Sequence, residues 1–273
     1  MNPFTYRDRR VLVTGAASGV GAALLDVLSE LEAAHVIALD LNEPRGPHDR
    51  FFPVDLSDEA AVRDVIARVD GPVHALFNNA GVSDMQPPAT VLSVNYLALR
   101  TLSEALLDRM PDGSAIVNTA SMAGALWRKY KEPINELLDI DVADDWTAPL
   151  EWFEANRAAF AEGPYNFSKG VVGLWTLRAS RPTMRQGVRT NAVFPGAIAT
   201  PLLREFRQTA GDKINDWTIR EMAGRAVEPR EVATTLAFLG SPAASYVNGV
   251  NLDIDGGFGA AMTTGQVDFS GRT

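Results

Sequence analysis

The chain reads as one α/β domain: a doubly wound, seven-stranded parallel sheet with helices on both faces. Three observations predict this. Short apolar runs alternate with segments of helical period along nearly the whole length. The runs are apolar throughout rather than every second residue, as strands buried on both faces are. No repeat, low-complexity tract or Gly/Ser linker divides the 273 residues, a length that one large α/β domain accommodates.

The elements follow in order. Val11–Val13 reads as a strand and Val20–Leu31 as a helix. His35–Leu39 and Phe51–Val54 are the next strands, followed by a helix over Asp58–Val69 with Ser57 as its N-cap. Val73–Phe77 is a strand, Val91–Met110 a long helix and Ala115–Thr119 a strand. Tyr165–Ala179 is helical, Val188–Phe194 a strand, Glu228–Leu239 a helix, and Val250–Ile254 closes the series. Two stretches break the alternation. Residues 126–163 carry nine acidic and four basic residues, with helical spacing at Leu150, Phe153, Arg157 and Phe160. Residues 197–227 lack strand character, carry Ile198, Leu202, Leu203, Phe206, Ile214, Trp217, Ile219 and Met222, and read as a substrate loop.

Composition excludes several classes of function. A net charge of −9 argues against nucleic acid or an anionic membrane as a partner. No apolar stretch is long enough to span a bilayer. With no cysteine there is no disulfide, thiolate nucleophile or Cys-ligated metal, and His35, His48 and His74 are scattered, so no metal site is expected. Residues 1–10 contain no signal-peptide apolar region, which points to a cytoplasmic protein.

The first strand runs into Thr14-Gly15-Ala-Ala-Ser18-Gly19-Val20-Gly21 and then a helix. Gly15 permits a tight turn, Gly19 lets the backbone approach a phosphate, and Gly21 lets helix and strand pack closely. The free N–H groups of the helix start suit a pyrophosphate. Asp40 ends the second strand, placed to accept hydrogen bonds from adenosine ribose hydroxyls and to repel a 2′-phosphate. NAD is therefore expected over NADP, although Arg45 is a competing cue.

Tyr165 and Lys169 lie four residues apart and share one helix face if that stretch is helical. An ammonium near a phenol favours phenolate, which would make Tyr165 a proton donor and acceptor closer to neutral pH.

Together these motifs resemble the short-chain dehydrogenase/reductase family over nearly the full length. Besides the glycine loop, the resemblance rests on Asp55-Leu56, Asn78-Asn79-Ala80-Gly81, Asn95, Ser121, Tyr165 with Lys169, Pro195-Gly196 and Asp255-Gly256-Gly257. It implies a Rossmann-type NAD(P)-binding domain over residues 1–273 and an alcohol dehydrogenase or ketone reductase. Asn95, Ser121, Tyr165 and Lys169 would be the catalytic set. Ser121 would hold the substrate oxygen, and Tyr165 would exchange its proton while a hydride passes to or from nicotinamide. Lys169 would hold the nicotinamide ribose and lower the Tyr165 pKa, and Asn95 would anchor a water leading to solvent. The cofactor would also meet Leu41, Ile198 beside the carboxamide and Thr200 near the phosphates. Asp55 would face the adenine, or would simply cap the following helix.

The sequence departs from the family pattern in three places. Ala120 stands where the family often has a second serine. Pro182 would end or kink the Tyr165 helix, which normally contributes to the family's homodimer or homotetramer interface. The step of 44 residues from Ser121 to Tyr165 is much longer than usual, so 126–163 reads as an insertion, either a helical lid or an oligomer-blocking flap. That insertion, with Ser-Pro-Ala-Ala-Ser-Tyr246-Val-Asn-Gly249 and Ile254-Asp-Gly-Gly257, looks like a bacterial subgroup that includes 3α-hydroxysteroid dehydrogenase/carbonyl reductase and coniferyl-alcohol dehydrogenase. Leu126, Trp127, Leu202 and Leu203 would wall the site for a bulky apolar alcohol or ketone such as a hydroxysteroid, with an aromatic or terpene alcohol as the alternative. The other reading of these side chains is as buried faces of local helices. A non-catalytic dinucleotide sensor would lack the intact Ser121, Tyr165 and Lys169, and a halohydrin dehalogenase would lack the glycine loop.

Overall fold

A computed structural model describes residues 2–267. Seven strands, β1 (Arg10–Thr14), β2 (His35–Asp40), β3 (Arg50–Pro53), β4 (Ala75–Asn78), β5 (Ala115–Thr119), β6 (Arg189–Pro195) and β7 (Asn251–Ile254), form one sheet in the order β3-β2-β1-β4-β5-β6-β7. Every pairing is parallel. The order reverses between β1 and β4, which opens a crevice beyond their C-terminal ends.

The helices are α1 (Gly19–Glu30), α2 (Glu59–Arg68), α3 (Pro88–Leu92), α4 (Ala98–Leu106), α5 (Lys131–Asp139), α6 (Thr147–Asn156), α7 (Gly163–Met184), α8 (Pro201–Ala210), α9 (Asp212–Glu221), α10 (Pro229–Gly240) and α11 (Phe258–Thr263). Apolar side chains of α1 and α10 fill one face of the sheet, and those of α2, α4 and α7 fill the other.

Four local expectations change. The expected helix over 91–110 forms without a break but carries a π-helical turn, Ser93–Leu97, between α3 and α4. Helix α2 is capped by Asp58, whose Oδ1 accepts from Ala60 N (2.9 Å) and Ala61 N (3.3 Å), and not by Ser57. Ser57 instead donates its hydroxyl to Asp55 at 2.7 Å, so Asp55 holds the turn before the helix and is no cap of it. Pro182 does not end α7, which runs on to Met184. The helix end is anchored by buried Thr183, whose hydroxyl bonds that of Thr190 on β6 at 2.8 Å. The missing proline N–H falls in the last turn, where it costs one hydrogen bond.

The insertion is part of the core. Ile134, Leu137, Leu138, Val142, Trp146, Phe153 and Phe160 are buried in the same cluster as α4 and α7. Phe160 stacks on Phe167 of α7 with centroids 3.7 Å apart. Trp146 Nε1 donates to Thr101 of α4 at 3.0 Å, and its backbone N donates to Glu59 of α2 at 2.9 Å. Arg63 and Arg100 donate to backbone carbonyls at 138–143, satisfying groups that a short connection would leave bare.

Candidate active site

A cleft of about 640 Å³ opens at the C-terminal ends of the strands, and residues that follow β1, β2, β3, β4, β5 and β6 line it. One end is built by the glycine loop. Gly15 has φ of +66°, and a Cβ there would stand 2.7 Å from Ala80 Cα. At Gly21 a Cβ would stand 1.9 Å from the Gly15 carbonyl oxygen, so only glycine allows this approach of α1 to β1. Thr14 Oγ1 accepts from Asn79 N (3.0 Å) and Ala80 N (3.1 Å), tying the two loops at the crevice together.

Ser18, Gly19 and Val20 line the cleft at the start of α1, which has no side-chain cap and no acidic residue in its first turn. Its leading N–H groups are thus left for an anion. Asp40, Leu41, Asp55 and Leu56 line the same end. Asp40 Oδ2 accepts from Ala17 N at 2.9 Å, so the carboxylate braces the glycine loop as well as facing the cleft. Arg45 is exposed and does not line the cleft. These residues suit the adenosine and pyrophosphate of a dinucleotide. Asn79, Ala80, Gly81, Pro195, Gly196, Ile198 and Thr200 continue the lining. A main-chain bridge between Ile198 and Val227 holds the segment after β6 in place.

Ser121, Tyr165 and Lys169 meet in the middle of the cleft. Tyr165 and Lys169 leave α7 one turn apart, 7% and 3% exposed. Ser121 lies at the start of the 3₁₀ turn Met122–Arg128, accepts from Ala123 N at 3.2 Å and lines the cleft with Tyr165, whose pKa its hydroxyl acts to lower. Helix α7 approaches that turn so closely that a Cβ at Gly124 would stand 2.5 Å from the Lys169 backbone. Lys169 Nζ donates to the Thr119 carbonyl at 2.9 Å.

Asn95 occupies the π turn, a geometry that often marks functional sites. Its Oδ1 accepts from Val82 N (2.8 Å), while Nδ2 donates to Val82 O (3.1 Å) and to Ser168 Oγ (3.0 Å). Ser168 donates in turn to the Tyr165 carbonyl at 2.8 Å. Asn95 thus reaches the acid/base pair through protein groups.

The electrostatics differ from the simple expectation of a lowered phenol. Burial pushes Tyr165 up to about 12, against the Ser121 hydrogen bond, and the Asp84 carboxylate adds to the rise. Burial also pushes Lys169 down to about 8. Desolvation is the largest cause in each case and disfavours both charged forms.

The substrate end corrects part of the expected lining. Leu202 and Leu203 line the cleft, but Leu126 and Trp127 do not. They lie in the second half of the 3₁₀ turn beside Tyr130, Ile134 and Phe160, because Gly124 and Gly170 bring that turn close against α7 on the side away from the cleft. No residue from 124 to 164 lines the cleft, so the insertion is no lid.

Several lining residues escaped sequence reading: Gln86, Asn166, Glu205, Asn215 and Thr218. Phe206 packs on Tyr165 with ring centroids 4.8 Å apart. Asp84 also went unnoticed, and its Oδ1 accepts from Tyr165 N at 2.7 Å, filling a free donor at the start of α7. The available signal was the helical spacing of Leu202, Glu205 and Phe206, which puts a charge on an otherwise apolar stripe.

Comparison with known proteins agrees with this geometry. The family model described as short chain dehydrogenase matches residues 9–130, and that described as Enoyl-(Acyl carrier protein) reductase matches residues 150–259. Coniferyl-alcohol dehydrogenase of Pseudomonas sp. (strain HR199 / DSM 7063) is 33% identical over 92% of this chain and 96% of its own length. The 3-alpha-hydroxysteroid dehydrogenase/carbonyl reductase of Comamonas testosteroni is 31% identical over 94% and 98%. The crystal structure of 3-alpha-hydroxysteroid dehydrogenase from Pseudomonas sp. B-0831 complexed with NADH superposes with a TM-score of 0.75 at 31% identity, covering 95% of this chain and 100% of that one.

Proposed function

The chain belongs to the short-chain dehydrogenase/reductase family, whose members bind a nicotinamide dinucleotide, and is an oxidoreductase acting on alcohols; on that premise we propose that it is NAD-dependent and interconverts a bulky, largely apolar secondary alcohol and its ketone, such as a hydroxysteroid. The observation that carries this reading is the buried convergence of Ser121, Tyr165 and Lys169 beside a cleft whose outer wall is formed by Leu202, Leu203, Phe206, Val94 and Met122.

Support for NAD comes from charge. Asp40 and Asp55 face the adenosine end, and no arginine lines the cleft among the described residues. A 2′-phosphate would meet a carboxylate without a compensating cation.

The cofactor, when bound, accepts or supplies the hydride. Ser121 Oγ orients the substrate oxygen, and the Tyr165 hydroxyl gives it a proton in reduction or takes one in oxidation. Lys169, which lines the cleft beside Tyr165, would hold the cofactor ribose. Asn95, through Ser168 and Val82, fixes the turn of α7 that carries Tyr165.

An aromatic allylic alcohol is the second reading, favoured by the Phe206 ring over Tyr165, which offers a planar surface. A homo-oligomer would form away from the α4–α7 face, because the insertion covers it. Light scattering coupled to size exclusion measures that assembly.

The activity is tested by following NADH and NADPH formation across steroid, aryl-allylic, terpene and short aliphatic alcohols. The expected result is turnover of the bulky classes with NAD at least about tenfold more efficient than NADP, worth about 1.4 kcal/mol. Equal efficiency with NADP would remove the role given to Asp40, and turnover of short aliphatic alcohols alone would remove the bulky substrate.

A further inference from the structure

One acidic group at the substrate end of the cleft has no part in cofactor binding or proton transfer. Glu205 of α8 lines the cleft on the same stripe as Leu202 and Phe206. Its Oε2 accepts a hydrogen bond from Ser83 Oγ. Ser83 is fully buried, and its oxygen accepts from Met85 N at 3.2 Å. A carboxylate only accepts, so the Ser83 proton is committed to Glu205 and the carboxylate is held in one position. No protein donor reaches Oε1 and no salt bridge reaches Glu205 among the described residues.

The rest of the cleft narrows what Glu205 can meet. Among the described residues its other charged groups are Asp40, Asp55 and Lys169, the last bonded to the Thr119 carbonyl. An anionic substrate therefore finds no free cation at this end. When a bulky ligand displaces water here, a carboxylate oxygen left without a donor is unfavourable. A ligand hydroxyl restores the bond, and an apolar ligand or a ketone does not.

We propose that Glu205 sets substrate specificity by accepting a hydrogen bond from a second hydroxyl, remote from the reacting carbon, so that the substrate is an uncharged molecule with an apolar body and a hydroxyl at its far end. The proposal rests on the reading of the chain as an oxidoreductase for bulky alcohols and narrows that reading to hydroxylated substrates.

The test compares kcat/KM within two substrate pairs for the full-length enzyme and its Glu205→Gln and Glu205→Leu variants. Oxidation of p-coumaryl alcohol is compared with that of cinnamyl alcohol, which lacks the remote hydroxyl. Reduction of dihydrotestosterone is compared with that of androstanedione, whose remote group is a ketone. The wild type favours the hydroxylated member of a pair by about tenfold or more, because a site built to bond a hydroxyl rejects an analogue without it. Glu205→Leu brings the ratio to about unity, mainly through KM, and Glu205→Gln, which keeps an acceptor oxygen, gives an intermediate ratio. NADH affinity reports that each variant is folded. A ratio that is the same in wild type and Glu205→Leu overturns the proposal and leaves the oxidoreductase reading standing. No turnover of any of the four compounds overturns the bulky-substrate reading, and this inference with it.

Discussion

Residues 126–163 and 197–227 both stand out from the regular alternation, both are rich in charge, and both carry apolar residues at helical spacing. They meet different surroundings. The first buries Ile134, Leu137, Trp146, Phe153 and Phe160 against α4 and α7 and contributes nothing to the cleft. The second forms α8 and α9, of whose described side chains only Trp217 is buried, and lines the cleft with Leu202, Leu203, Glu205, Phe206, Asn215 and Thr218. An amphipathic pattern states that a helix has an apolar side. It does not state whether that side meets the core or a ligand, since burial is decided by the surface that faces it.

The contrast makes measurable predictions. The largest effect is Trp146→Ala, which removes a buried indole and its bond to Thr101. It lowers stability by about 3–5 kcal/mol, read by urea unfolding, while the substrate KM stays within about twofold. A KM change of more than tenfold with unchanged stability would return the insertion to the cleft. Phe206→Ala is the mirror image. It raises substrate KM by about tenfold with a loss of about 1 kcal/mol or less, because the ring is only half-buried and packs on Tyr165. Asp40→Asn keeps an acceptor for Ala17 N and removes the charge. It shifts the NADP-to-NAD efficiency ratio upward by about tenfold without altering substrate KM, separating the cofactor end from both segments.

The last effect is a pH dependence. Lys169 falls from 10.5 unfolded to about 8 in the fold. Between those values the unfolded chain binds more protons, so stability rises with pH from about 8 towards 10.5, by at most about 1.4 kcal/mol per pH unit. Tyr165, raised to about 12, contributes the opposite slope above pH 10. Melting temperature at pH 8 and pH 9.5, compared between wild type and Lys169→Met, isolates the lysine. The variant lacks part of the wild-type gain, and an identical gain in both would contradict a buried, depressed ammonium.

The cofactor end was legible because backbone geometry writes it. Gly15, Gly19 and Gly21 are dictated by positive φ or by contacts that a Cβ would break, and the alternation of strands and helices places them. The seven strands were legible for the same reason, as continuous apolar runs. Asn95 was visible as a motif, but its π turn was not, since one extra residue in a helix leaves no compositional trace. The continuation of α7 through Pro182 depends on Thr183 meeting Thr190 on another strand, a contact invisible to local propensity. The positions of Leu126 and Trp127 were misjudged because nearness to Ser121 in sequence says nothing about which side of a tight turn a side chain takes. Asp84 and Glu205 escaped notice because each acts across more than eighty residues of chain.

The central claim is that proton transfer by Tyr165 is separable from dinucleotide affinity, which the loops after β1 and β2 supply together with Lys169. Tyr165→Phe tests it most directly, measured as kcat for a turned-over alcohol together with the NADH dissociation constant by fluorescence. The account predicts a loss of kcat of about 10²–10⁴-fold with NADH affinity unchanged within about threefold. Turnover above about a tenth of wild type, or loss of NADH affinity in step with kcat, would contradict it.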